Sequence, residues 1–178
     1  MKTTTVTVRC RIDTKLFRRF ALFDTFRLKK HGRLPLIFML IMLLFSGICF
    51  FSGKPQSWLP GTLLLLIGLG MPAVYVGSFL SGVKKQADKL KLKTPRAMYT
   101  VTLSSEGVNI RNDFKAEENV NLPWDKVWGA VRVKGAVYLY ATPARAFILP
   151  EGQAEPDDAM LWSLLGSCLP KNKLTDKR

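Results

Sequence analysis

Histidine is almost missing from this chain: His31 is the single one in 178 residues. Acids are scarce too, 13 Asp and Glu against 27 Lys and Arg, for a net charge of +14. Three cysteines, Cys10, Cys49 and Cys168, are scattered with no C-x-x-C spacing. These shortages exclude chemistry. His31 lies in the basic stretch LKKHGR, so no serine has an evident imidazole base, and Ser-His nucleophilic catalysis has no support. A Cys/His zinc set is lacking as well. Neither a Walker-type G-x-x-x-x-G-K-[ST] nor a G-x-G-x-x-G occurs, and GLGMPA falls inside an apolar run without phosphate-binding context. Glu117-Glu118 and Asp157-Asp158 are adjacent pairs. Neighbours on an extended strand point to opposite faces, and acids at a helix start are stabilised there by the helix dipole. The expectation is a chain that is not an enzyme, with no catalytic residue, cofactor site or metal ligand.

Charge itself is missing from two long stretches. Leu34 to Phe51 is 18 residues and Trp58 to Leu80 is 23, neither with a Lys, Arg, Asp or Glu. About 20 apolar residues at ~1.5 Å rise cross the ~30 Å hydrocarbon core of a bilayer, so both are expected to span. The six residues 52–57 between them require a tight antiparallel hairpin, residues 34–80 in all. A cleaved signal peptide does not fit the first run, which follows 33 residues and ends in CFFSGK without a small-residue cleavage site.

The positive charge sits beside these runs. Residues 1–33 carry ten bases and two acids, residues 81–96 six bases and one acid, whereas residues 97–178 are neutral with ten of each. Flanking charge is the mark of membrane topology and not of a nucleic-acid surface. It predicts a multi-pass membrane protein with both termini cytoplasmic. The flanking anchors are Arg27, Lys29, Lys30, Arg33, Trp58, Lys84 and Lys85, with anionic headgroups as their partners. In the second run Ala73, Gly77 and Ser81 make a small-residue row where another helix can approach. Packing on the first span is favoured over a homo-oligomer. Pro72 is expected to kink this helix.

Outside the runs the pattern is mixed. Thr3 to Ile12 alternates, with Val6, Val8, Cys10 and Ile12 on one face and Thr7, Arg9 and Arg11 on the other, which predicts a half-buried strand. Asp13 or Thr14 caps a basic amphipathic helix with Leu16, Phe17, Phe20, Phe23 and Phe26 on one side. Residues 81–96 read as a basic exit segment. From residue 97 six short strands follow, broken by SEG, a tight turn in which Gly107 is able to take positive φ, and by the hairpin signal Lys134-Gly135. A last amphipathic helix buries Met160, Leu161, Leu164, Leu165 and Cys168. The expected class is an α+β membrane protein whose soluble part, 97–178, is a small β-barrel or sandwich with a terminal helix.

The order of the motifs resembles a family. A two-span hairpin, then Y-x-V-x-L-S-x-E-G-V, L-P-W-x-x-V, A-F-I-L-P and a terminal helix is similar to the YcxB-like membrane proteins of bacteria. The resemblance implies a PH-like cytoplasmic domain, places Gly107, Trp124, Val127 and Pro150 at signature positions, and implies no established activity. Glu151, Gly152 and Gln153 depart from the basic and aromatic residues that often follow that proline. PH-like barrels have seven strands, so Thr3 to Ile12 is expected to pair with the C-terminal sheet. The acidic SSEG turn argues against phosphoinositide recognition there. Trp124, Val127 and Pro150 are expected in the core, and Trp128 is the candidate partner contact. The functional expectation is a non-catalytic membrane-anchored adaptor with an unknown protein partner. The alternatives are an accessory or regulatory subunit assembled through the spans, or a small-ligand sensor.

Overall fold

A computed structural model describes residues 5–54, 56–113 and 119–178. The Glu117-Glu118 pair lies outside them. Residues 1–20 and 91–178 form one compact unit and residues 21–90 a second. The cut differs from a simple succession of segments, because the first twenty residues belong with the C-terminal part.

In the first unit, β1 (Val6–Ile12) uses its alternation as expected, with Val6, Val8 and Cys10 entirely buried. It pairs antiparallel with β2 (Arg96–Leu103), and β2 with β3 (Gly107–Asn112), which pairs with β4 (Val120–Pro123). A short strand that the sequence reading does not anticipate, β8 (Ala154–Glu155), takes the other side of β1, giving a five-stranded sheet β4-β3-β2-β1-β8. The second sheet joins β5 (Gly129–Val133), β6 (Ala136–Thr142) and β7 (Arg145–Pro150) to β9 (Leu174–Asp176), a further unanticipated strand parallel to β5, in the order β7-β6-β5-β9. Among the described residues the strands β2 to β9 number eight, where the sequence predicts six.

Among the described residues the strands do not close into a barrel. β1 lies alongside β7 without a hydrogen-bonded ladder. The edge of β1 is already taken: β8 pairs with Thr7 and Val8, and the Gln153 side chain accepts from the Arg11 N–H (2.8 Å) and donates to its carbonyl (3.3 Å). The two sheets instead face each other over one core of Val8, Val101, Leu103, Ile110, Leu139 and Leu149. The helix Asp158–Cys168, labelled α4 in chain order, closes the core with Leu161, Leu164 and Leu165, while Met160 stays exposed and Cys168 half-buried.

Asp13 does cap α1 (Thr14–Leu22), accepting from the Leu16 N–H at 2.7 Å. The sequence predicts one helix to the basic flank, but α1 ends at Leu22 and a π-helical turn, Phe23–Leu28, follows. Phe20 meets Tyr138 edge-on at 5.0 Å on the side of β6 away from the core, so both faces of that strand are covered. Gly107 does not take positive φ; a Cβ there would sit 2.7 Å from the Leu122 carbonyl oxygen, so close approach of β3 to β4 is what calls for glycine. Gly135, at φ +86°, does turn the β5–β6 hairpin.

The second unit holds α2 (Arg33–Phe51) and α3 (Trp58–Lys89), both long and apolar enough to cross a membrane. A core helix of a soluble protein would be mostly buried, but only 6 % of each apolar stretch is. α3 runs through Pro72 and on through the basic residues to Lys89, so 81–89 continues the helix and only the remainder of 81–96 is a connection. The helices pack at Gly61 and Gly68. The Ser46 hydroxyl donates to the Gly61 carbonyl at 2.7 Å, and a Cβ at Gly68 would lie 2.7 Å from that of Met42. The expected row Ala73, Gly77 and Ser81 does not pack on α2: all three are exposed, and a Cβ at Gly77 would meet nothing within 4 Å. Its small side chains lie on a different arc of α3 from the glycines that touch the partner. Phe26 reaches α3, its ring edge-on to Tyr75 (6.4 Å) and Phe79 (5.2 Å).

Candidate functional site

The residues singled out in the sequence fall in three places. Arg27, Lys29 and Lys30 are exposed ahead of α2 and Arg33 is exposed as its first residue, with Lys29 paired to Asp24 at 2.6 Å. Trp58 is exposed at the start of α3, and Lys84 and Lys85 are exposed on its extension beyond the apolar stretch. Val127 and Pro150 are buried. Trp124 is half-buried, packs against the core and donates its Nε1–H to the Ser104 carbonyl at 2.9 Å, which ties the short 3-10 turn Trp124–Lys126 to the end of β2. Trp128 is 44 % exposed and stands edge-on to Tyr140. The two tryptophans thus have different surroundings despite their four-residue spacing.

Two side chains just after Pro150 hold backbone groups. Glu151 accepts from the Gly135 N–H at 3.1 Å, and Gln153 binds the backbone of Arg11 as described.

Reactive groups are few. Burial, helped by the charge of Asp113, pushes the Cys10 thiol well up, which disfavours the nucleophilic thiolate. Burial likewise pushes the Tyr99 phenol up. Among the described residues no group of three His, Cys, Asp or Glu could hold a metal ion.

What stands out is the face of the five-stranded sheet turned away from the core. It forms an open trough of about 920 Å³. Its floor follows from register. Arg9 pairs with Thr100, and Thr100 with Arg111, so one row crosses three strands with a guanidinium on each side of a hydroxyl. The next row is Thr7, Thr102 and Asn109. Arg11 lies two residues along β1 on the same face. Asn119 and Asp113 complete the rim, and Asp113 is the one acid among the described lining residues. Arg9, Arg11 and Arg111 are exposed, and among the described residues no hydrogen bond or ion pair engages their guanidinium groups. Such a surface can hold oxyanions through charge-assisted, bidentate hydrogen bonds.

The alternation of β1 already put Arg9 and Arg11 outward. Arg111 joins them only through a pairing between strands about ninety residues apart in the chain, which periodicity does not encode.

Compared with models of protein families, with curated proteins and with solved structures, the chain finds no match.

Proposed function

We propose that this protein is a non-catalytic, membrane-anchored interaction module of the YcxB-like kind. The hairpin α2–α3 spans the bacterial inner membrane, and the two-sheet unit is a PH-like cytoplasmic domain that receives a protein partner. The observation that carries the reading is the joint composition of the two units. The helices leave nearly all their apolar surface uncovered, while both chain ends leading from them build one domain with a polar outer sheet face. Basic residues on both outer flanks and a single one, Lys54, in the connecting loop favour cytoplasmic termini. Reporter fusions at each terminus and in the 52–57 loop test the topology. Periplasmic activity from a terminal fusion would overturn it. Crosslinking in native membranes with mass spectrometry tests the module, which predicts a discrete partner joined to residues of the two-sheet unit.

A second reading, an accessory subunit assembled through the spans, is favoured by one observation: the row Ala73, Gly77, Ser81 is uncovered by the chain's own first span. Crosslinks confined to that row would support it instead.

A further inference from the structure

We propose that the trough on the outer face of the β4-β3-β2-β1-β8 sheet is a docking site for an extended, acidic segment of a partner protein. The inference rests on the interaction-module reading and gives that partner a chemistry.

Charge complementarity is the first argument. Three arginines with no neutralising contact among the described residues gather on one face whose described lining holds a single acid, Asp113. Left empty, that face concentrates like charge, which opposes folding and attracts anions. Carboxylates on a partner relieve it, and guanidinium is the side chain best shaped to bind them two-pronged.

Spacing is the second. Arg9 and Arg11 are two residues apart on one strand, about 7 Å, and carboxylates at alternate positions of an extended peptide repeat at the same interval. Arg111 lies two strands from Arg9, about 10 Å across. Thr7, Thr100 and Thr102 between them offer hydroxyls that can serve a passing peptide backbone as donor or acceptor.

The same surface disfavours other anions. Among the described residues no aromatic ring lines it, so these offer nucleobases no stacking surface. A concave face touches a flat plane of headgroups only at its rims. An open trough covers one side of a small molecule, whereas small-ligand sites bury most of it.

The test uses the full-length chain in phosphatidylcholine nanodiscs and a fluorescent peptide of alternating Glu and Thr, read by anisotropy at low and moderate salt. The peptide is expected to bind, its counterpart with Gln for Glu to fail, and R9Q/R111Q to weaken binding at least about tenfold. The charge-reversed R9E/R111E is expected to prefer alternating Lys and Thr, a gain that misfolding cannot produce. Equal binding of the Glu and Gln peptides would overturn the proposal, as would equal binding by wild type and a folded R9Q/R111Q. So would arginine-dependent binding of phosphatidylglycerol nanodiscs or oligo(dT) without binding of the peptide. If crosslinking finds a partner elsewhere on the two-sheet unit and the acidic peptide does not bind, this site fails and the module reading stands. If neither appears, both fail.

Discussion

The phenol of Tyr99 on β2 takes the place of a neighbouring strand for Ile148 on β7. Its oxygen accepts from the Ile148 N–H at 2.7 Å and its hydroxyl donates to the Ile148 carbonyl at 3.1 Å. The ring meanwhile packs edge-on against Phe147 at 5.4 Å. One side chain thereby joins the two sheets at the seam where no ladder forms. Tyr99→Phe keeps the ring and strips both bonds, leaving a backbone donor and acceptor without a partner. A loss of about 1–3 kcal/mol is expected, read as a lower midpoint in chemical denaturation of the detergent-solubilised chain. An unchanged midpoint would show that the seam does not depend on the phenol.

β1 lies between β2 and β8 with Val8 entirely buried. Removing residues 1–12, or placing a carboxylate in the core by Val8→Asp, is expected to unfold the two-sheet unit. The point substitution should cost about 3 kcal/mol or more. Limited proteolysis should then cut within residues 97–178. Persistent resistance to protease would sink the view that both chain ends build one domain.

Helix packing separates two glycines. Gly68→Val forces a Cβ into that of Met42, whereas Gly77→Val enters open space. The first is expected to lower the thermal midpoint of the hairpin in detergent and the second to leave it alone. Equal effects would contradict the packing. Loss of a dimer on Gly77→Val, with the midpoint unchanged, would assign the Ala73 row to self-association.

Tyr138 sets a pH dependence. Burial outweighs the nearby Arg19 charge and pushes its phenol from 10.0 up to about 12. The folded chain therefore holds that proton more tightly than the unfolded one. Stability is fully present below pH 10, falls as the unfolded phenol ionises, and levels off near pH 12. The size of the decline follows from the difference in proton affinity between the folded and unfolded phenol. Denaturation midpoints across that window should fall for wild type and fall less for Tyr138→Phe; parallel curves would remove Tyr138 as the cause.

Legibility in the sequence followed the range of the forces involved. The strand at residues 6–12, the cap at Asp13, the Lys134-Gly135 hairpin and the closing helix obey local rules of periodicity and turn geometry, and each stands where those rules put it. β8 and β9 escaped notice because strands of two and three residues have too few positions to show a period. The close approach of β3 to β4 that calls for glycine at 107 leaves no local trace in the sequence. Spacing in the Ala73, Gly77, Ser81 row says that a helix can be approached there, not which neighbour uses that face.

The candidate site divides the same way. Outward Arg9 and Arg11 were visible, being a consequence of period-two alternation, but Arg111 and the threonine row were not.

By itself, then, the sequence determined two apolar helices with basic flanks and a strand-rich remainder, because hydrophobicity, charge and turn chemistry act residue by residue. Only the tertiary structure decided that the chain's two ends share a sheet, that β8 occupies the β1 edge a closed barrel would need, and that three arginines meet on one face. Those outcomes depend on which strand pairs with which, and in what register, and that is settled by the joint burial of side chains far apart in the chain.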